Sequence, residues 1–319
     1  MYKAAGNKVD FTEGKRVESI LKILPVKLRD KILSEKLDFR RLQEIRLRAG
    51  QPLLLRYDGQ ERKIRRTVSD RITLDEIHET VQYAADYSLY AYEQEMRQGY
   101  LTIEGGHRVG MAGQVILDGG QIRNLRYVSS VNIRIAHEIP GCADKVLPFL
   151  IRDGDVLNTL IIAPPGCGKT TLLRDVIRQI SSGTEFLEGR NVGVVDERSE
   201  IGGSYMGVMQ NDLGSRTDLL DACPKAEGMM MLVRSMGPQV IAVDEIGSME
   251  EVQILKYAMC CGCRMIATVH GASLQEIRGK PMFQDFFTQK LFQRYLVLKH
   301  VKQPGLVEEI YDEQGERVC

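Results

Sequence analysis

The chain has 319 residues, 43% of them hydrophobic, with 43 basic and 43 acidic side chains and no formal net charge. That balance excludes a disordered chain, which is poorer in apolar residues and more highly charged, and argues against a nucleic-acid-binding protein, whose footprint is usually strongly basic. No apolar run approaches the roughly 18–20 residues that span a bilayer, the first residues lead into no apolar signal segment, and seven cysteines in a chain this long make no disulfide scaffold.

These features predict a cytoplasmic protein, and the length suggests two domains. In chain order, residues 17–37 read as two short helices, because Pro25 interrupts the apolar period. Glu44–Arg48 alternates polar and apolar residues as a half-buried strand does. Leu53–Tyr57 and residues 60–66 are further strands, separated by turn residues at Gly50, Pro52 and Asp58-Gly59. Thr73 and Glu76 form a capping box that opens a helix running to about Ala85. A second helix, over about 89–97, ends at Gly99. Strands at about 100–103, 107–117, 121–127 and 131–136 follow, with turns at Gly105-Gly106 and Gly119-Gly120. Residues 1–145 are therefore expected to form a mixed α+β N-terminal domain.

The first domain is expected to end near residue 145, and the pattern changes from residue 159. Short apolar strands at 160–162, 192–195, 240–243 and 265–269 alternate with helices at 169–181, 223–236 and 249–259. That alternation predicts a parallel sheet covered on both faces, placing an α/β domain over residues 146–319. Residues 293–300 and 307–318 read as extra antiparallel strands. Cys260, Cys261 and Cys263 sit between a helix and a strand with no second pair at zinc-site spacing. They are expected to be buried reduced thiols.

The chemistry concentrates at strand ends. Ala163-Pro164-Pro165-Gly166-Cys167-Gly168-Lys169-Thr170 fits the phosphate-loop pattern Gly-x-x-x-x-Gly-Lys-Ser/Thr, with Ala163 at the first glycine position. An apolar strand precedes it and an amphipathic helix follows it. Gly166 and Gly168 let backbone amides turn inward toward phosphate oxygens, and the helix N-terminus adds its unpaired N–H groups and dipole. Pro165 and Cys167 complete the loop. Lys169 is the countercharge for the β- and γ-phosphates, Thr170 offers a hydroxyl to Mg²⁺, and Thr171 reaches toward the α-phosphate. The pattern predicts binding of ATP with Mg²⁺.

Hydrolysis also needs a carboxylate near the metal and a group that orients water. Val240-Ile241-Ala242-Val243-Asp244-Glu245 runs from an apolar strand into two acids at its C-terminal end, the edge where ligands bind in open α/β sheets. Asp244 is expected to hold Mg²⁺ and Glu245 to polarise water. A second acidic strand end, Val195-Asp196-Glu197-Arg198-Ser199-Glu200, makes Glu197 a competing candidate. A third strand ends in Thr268-Val269-His270, where His270 can sense the γ-phosphate. Ring ATPases often insert an arginine from a neighbouring subunit; Arg126, Arg134, Arg198, Arg216 and Arg234 are candidates that the sequence does not separate.

Taken in order, residues 163–170, 196–200, 240–245 and 268–270 resemble the secretion ATPase superfamily, the ring motors of type II and type IV secretion and pilus systems. A narrower resemblance is to the sporulation branch, the stage III AA ATPases of the mother-cell–forespore channel in endospore-forming bacteria. It rests on Leu42–Arg48, Gly106–Gly110, Ala163–Thr171 and Val195–Ile201, and covers most of the chain from about residue 40. The resemblance implies a RecA-like P-loop ATPase domain, a homo-oligomeric ring (a hexamer) and membrane-protein partners in the channel complex. It also implies peripheral attachment to the membrane through them, on the mother-cell side. It departs from the broader superfamily in closing the acid-ending strand with Asp244-Glu245 rather than Gly-Glu, which leaves open whether Glu245 or Glu197 is the main water-orienting residue. Two other readings are a nucleic-acid translocase on the same core fold and an ATP-gated scaffold that does not hydrolyse. Zero net charge, the absence of tryptophan and the lack of basic stretches interleaved with aromatics disfavour the translocase.

Overall fold

The computed structural model describes residues 6–65, 67, 70–88, 93–299 and 305–319. The chain divides into two compact units, Met1–His137 and Glu138–Cys319.

The first unit holds helices α1 (Gly6–Lys22), α2 (Val26–Ser34), α3 (Leu74–Ala84) and α4 (Glu93–Gln98). Its strands are β1 (Leu42–Arg48), β2 (Leu53–Tyr57), β3 (Gln60–Ile64), β4 (Tyr100–Ile103), β5 (His107–Asp118) and β6 (Gln121–Arg134). They form one antiparallel sheet in the order β3-β2-β1-β6-β5-β4. Alternation does what period-two patterning requires: Leu42, Ile45 and Leu47 of β1 join Leu28 and Ile32 of α2 in the core. The Thr73 box forms, with Glu76 N–H donating to Thr73 Oγ1 and Thr73 N–H to Glu76 Oε2. The first helix begins well before residue 17. The two strands expected at 121–127 and 131–136 are one, because the ladder with β5 continues across a bulge between Ala112 and Gln114. Part of the helix expected from residue 89 lies outside the described residues.

The second unit carries a small hairpin, β7 (Ile151–Arg152) and β8 (Asp155–Val156). Its main strands are β9 (Thr159–Ala163), β10 (Val192–Asp196), β11 (Thr217–Asp221), β12 (Val240–Val243), β13 (Arg264–His270), β14 (Arg294–Leu298) and β15 (Val307–Tyr311). Its helices are α5 (Lys169–Ser182), α6 (Lys225–Ser235), α7 (Met249–Cys260), α8 (Leu274–Gly279) and α9 (Gln284–Thr288). The seven-stranded sheet runs β11-β10-β12-β13-β9-β14-β15 and is parallel except at β15. Both faces are apolar: Ile161 and Ala163 enter one core with α5, whereas Leu160 and Ile162 enter the other with Met229 and Leu255 of α6 and α7. This is why the strands read as continuous apolar runs.

Two expectations are corrected, and one strand is added. Residues 294–298 are not an antiparallel addition; β14 extends the parallel layer beside β9, and only β15 turns back. The edge strand β11, with only Leu219 and Leu220 between polar ends, is not among the predicted strands. Of the clustered cysteines, only Cys263 is buried; Cys260 and Cys261 are exposed because they end α7 where it leaves the core.

Candidate functional site

The sheet register assembles the site. Along β13, Ala267 pairs with Val243, and His270 pairs with Ala163. The residue after Val243 is Asp244, and the residues after Ala163 are the glycine-rich loop. Thr268 and His270 thus stand between the acidic strand end and the loop. Gly166 and Gly168 adopt φ of 77° and 86°, a left-handed region that L side chains enter only at a cost. Gly168 is the N-cap of α5, and no side chain caps the helix there. Its first N–H groups and positive dipole end therefore remain available to an anion.

The loop borders an open cavity of about 450 Å³ whose walls include Gly166, Lys169, Thr170, Arg198, Glu245 and His270. Pro165 and Thr171 also line it; the Cys167 side chain does not, because it is buried in the α5 core. Thr170 Oγ1 donates to Asp244 Oδ2 at 2.6 Å, and Thr268 Oγ1 donates to the other carboxylate oxygen. Lys169 is buried, and its ammonium lies 3.0 Å from Glu245 Oε1 and 3.4 Å from His270 Nδ1. His270 Nε2 is 2.9 Å from the same Glu245 oxygen, and Arg198 Nη1 is 3.1 Å from Glu245 Oε2. With Nε2–H donating to Glu245, the imidazole presents Nδ1 as an acceptor to the ammonium. Burial pushes the Glu245 carboxyl upward, but Lys169, His270 and Arg198 outweigh it and hold it below the usual glutamate value.

Glu245 itself sits at φ 57°. Two bonds hold that left-handed backbone. Its N–H donates to Thr268 Oγ1 at 2.9 Å, and its carbonyl accepts from Lys225 Nζ at 2.8 Å. Glu197 does not line this cavity; its carboxylate is 3.2 Å from Lys225, and it lines a small separate pocket with Asp244 and Glu245. Neighbouring Asp196 is buried and accepts the N–H groups of Glu200, Ile201 and Gly202 at 2.8 Å each. Burial pushes its carboxyl up to about 6, against the pull of those amides. Asp196 therefore shapes the loop that carries Glu197 and Arg198.

Among the five arginine candidates, Arg198 reaches Glu245 within the same chain. Arg216 is tied to the backbone carbonyl of Ser181. Arg126, Arg134 and Arg234 are exposed. Lys225 was not anticipated. The available signal was a lysine at the first position of a helix, where the macrodipole disfavours a cation.

A family model for sporulation stage III protein AA matches residues 14–318. Stage III sporulation protein AA of Bacillus subtilis (strain 168) is 44% identical over 269 residues, spanning 84% of this chain and 83% of that protein. Two solved structures are similar in fold. The Legionella pneumophila ATPase DotB superposes with a TM-score of 0.58 at 15% identity, covering 86% of this chain and 76% of that one. The pilus retraction motor PilT with bound ADP gives 0.54 at 16%, covering 84% and 77%. These likenesses bear out the expected fold: a RecA-like α/β domain preceded by an α+β region.

Proposed function

The chain belongs to the sporulation stage III protein AA family, and from that premise we propose that it is an ATP-hydrolysing ring motor of a secretion-like channel complex in endospore formation. The observation that carries the reading is the convergence of Lys169, Thr170, Asp244, Glu245 and His270 at the C-terminal ends of three adjacent parallel strands. A helix N-terminus, a lysine and a threonine hydroxyl facing an open cavity, with the Asp244 carboxylate hydrogen-bonded behind that hydroxyl, are the parts that a nucleoside triphosphate with Mg²⁺ requires.

The residues fit that load. The Thr170 hydroxyl and the Asp244 carboxylate, 2.6 Å apart, are hard oxygen donors of the type Mg²⁺ accepts. When bound there, the metal neutralises charge developing on the phosphates. The backbone of residues 165–169 and the Lys169 ammonium hold the phosphates. Glu245 lines the cavity and is the stronger candidate for orienting water; Glu197, paired with Lys225, is secondary. Lys169 and Arg198 both contact Glu245, so an entering polyanion competes with that carboxylate for two cations. His270 bridges Glu245 and Lys169 and is placed to feel the exchange.

The ring, a hexamer, and attachment through membrane proteins of the channel complex follow from the family resemblance. Among the described residues no helix is long and apolar enough to cross a membrane. The test is phosphate release by the full chain with ATP and Mg²⁺, beside equilibrium binding of a fluorescent ATP analogue. Lys169→Ala should abolish both. Normal ATP affinity in that variant, or a wild-type chain that binds no nucleotide, would sink the proposal.

A further inference from the structure

Lys225 violates two rules at once. It opens α6, where the helix dipole repels a cation, and its side chain is only 8% exposed, where a charge is costly unless paired. Its neighbours account for both. The ammonium lies 3.2 Å from Glu197 Oε2, 3.2 Å from Glu251 Oε1 and 2.8 Å from the Glu245 carbonyl. Glu251 is fixed independently, because its other oxygen accepts the N–H groups of Gly247 and Ser248 in the capping box of α7. Helix α6 is itself seated closely against β10: a Cβ on Gly228 would lie 2.5 Å from Val195 Cγ1. The lysine therefore projects from a rigid helix into the junction of three acidic segments.

We propose that Lys225 is a positioning residue for ATP turnover. It locks the left-handed backbone that aims Glu245 into the cavity, and it holds the Glu197 carboxylate outside it. The geometry supports each part. Glu245 is a non-glycine residue at φ 57°, a conformation that persists only when its surroundings enforce it. Thr268 fixes the N–H side of the residue and Lys225 fixes the carbonyl side. Without the ammonium, Glu197 and Glu251 face each other with no countercharge, and the Glu245 carbonyl loses its partner. Neither the phosphates nor the metal needs to touch Lys225 for this effect. It acts on the water-orienting group and not on binding.

The inference rests on the ATPase reading above, and the test separates the two. Turnover and binding of a fluorescent ATP analogue are measured for the wild-type chain and for Lys225→Met, Lys225→Gln and Lys225→Arg. Misplacing a catalytic group by about 1 Å can cost roughly a hundredfold. Lys225→Met should therefore lose about ten- to a hundredfold in kcat while its affinity for the analogue stays within about threefold. Lys225→Arg, which restores cation and donors, should recover most of the loss. Should the methionine variant fail to fold, Lys225→Gln keeps a donor for the carbonyl without the charge and carries the same expectation. Wild-type kcat in the methionine or glutamine variant overturns the proposal. So does a loss in the arginine variant as large as in the methionine one, since it would mark a purely structural site. A wild-type chain that neither binds nor hydrolyses ATP overturns the ATPase reading instead.

Discussion

Replacing Glu245 with glutamine keeps the side chain's size and removes its charge, which separates two roles proposed for it. The carboxylate lies 3.0 Å from Lys169 Nζ and 3.1 Å from Arg198 Nη1. The lysine side chain is 6% exposed and the carboxylate 26%, so solvent weakens this pair less than a surface pair. A hydrogen bond to a charged group contributes about 1.5–3 kcal/mol, against about 1 kcal/mol for a neutral one. Glutamine retains the neutral part, so roughly 0.5–2 kcal/mol no longer holds the two cations against an entering polyphosphate. ATP should bind about 2- to 30-fold more tightly to Glu245→Gln, at about 1.4 kcal/mol per tenfold. Turnover should fall by about 10²–10⁴, the range for a positioned general base. The assay pairs equilibrium titration of a fluorescent ATP analogue in Mg²⁺ with steady-state phosphate release. Weaker binding would refute the competition between Glu245 and phosphate. Unchanged kcat would refute the water-orienting role and pass it to Glu197.

Two further outcomes are expected. Thr268→Val leaves Asp244 without one donor and the Glu245 N–H without an acceptor. Such an unsatisfied group costs about 1–3 kcal/mol, so the variant should lose stability of that order in urea melts and lose turnover with it; a melt indistinguishable from wild type contradicts the assigned bonds. The second concerns the first unit. His107 is fully buried, with Nδ1 accepting from Ala136 N–H and Nε2 facing the Arg16 carbonyl. Burial drives its pKa down to about 3, against the raising effect of the Arg16 carbonyl. The unfolded imidazole takes a proton near its ordinary value of about 6.5 and the folded one does not. The stability is thus complete above that value and lost as pH falls toward 3. At pH 5 the loss is about 2 kcal/mol. Urea melts at pH 7.5 and 5.0 should show it in the wild-type chain and not in His107→Gln; an equal slope in both removes His107 as the cause.

Much of the second unit was legible because its signals are local. A strand buried on both faces reads as an unbroken apolar run, and Thr159–Ala163 and Val240–Val243 do so immediately before the glycine loop and Asp244 respectively. The order of motifs gave the fold, since each motif ends a strand of the same parallel sheet. Other features depend on register and were not readable. The parallel placement of β14 follows from its pairing with β9, which no local pattern encodes. Edge strand β11 buries too little apolar surface to announce itself. At the site, the sequence assigned water to Glu245 but left Glu197 open as a competitor. Only the third dimension puts Glu245 beside Lys169 and ties Glu197 to Lys225. Lys225 escaped notice because a lysine opening a helix looks like an ordinary surface residue until its burial is known.

The most direct test is a crystal structure of the full chain with a non-hydrolysable ATP analogue and Mg²⁺. The triphosphate should lie against the backbone of residues 165–170 with Lys169 on its oxygens, the metal should sit beside Thr170 and Asp244, and the Lys169–Glu245 contact should be broken. An analogue bound away from the α5 N-terminus, or one bound there with the Lys169–Glu245 pair still closed, contradicts the proposed motor site.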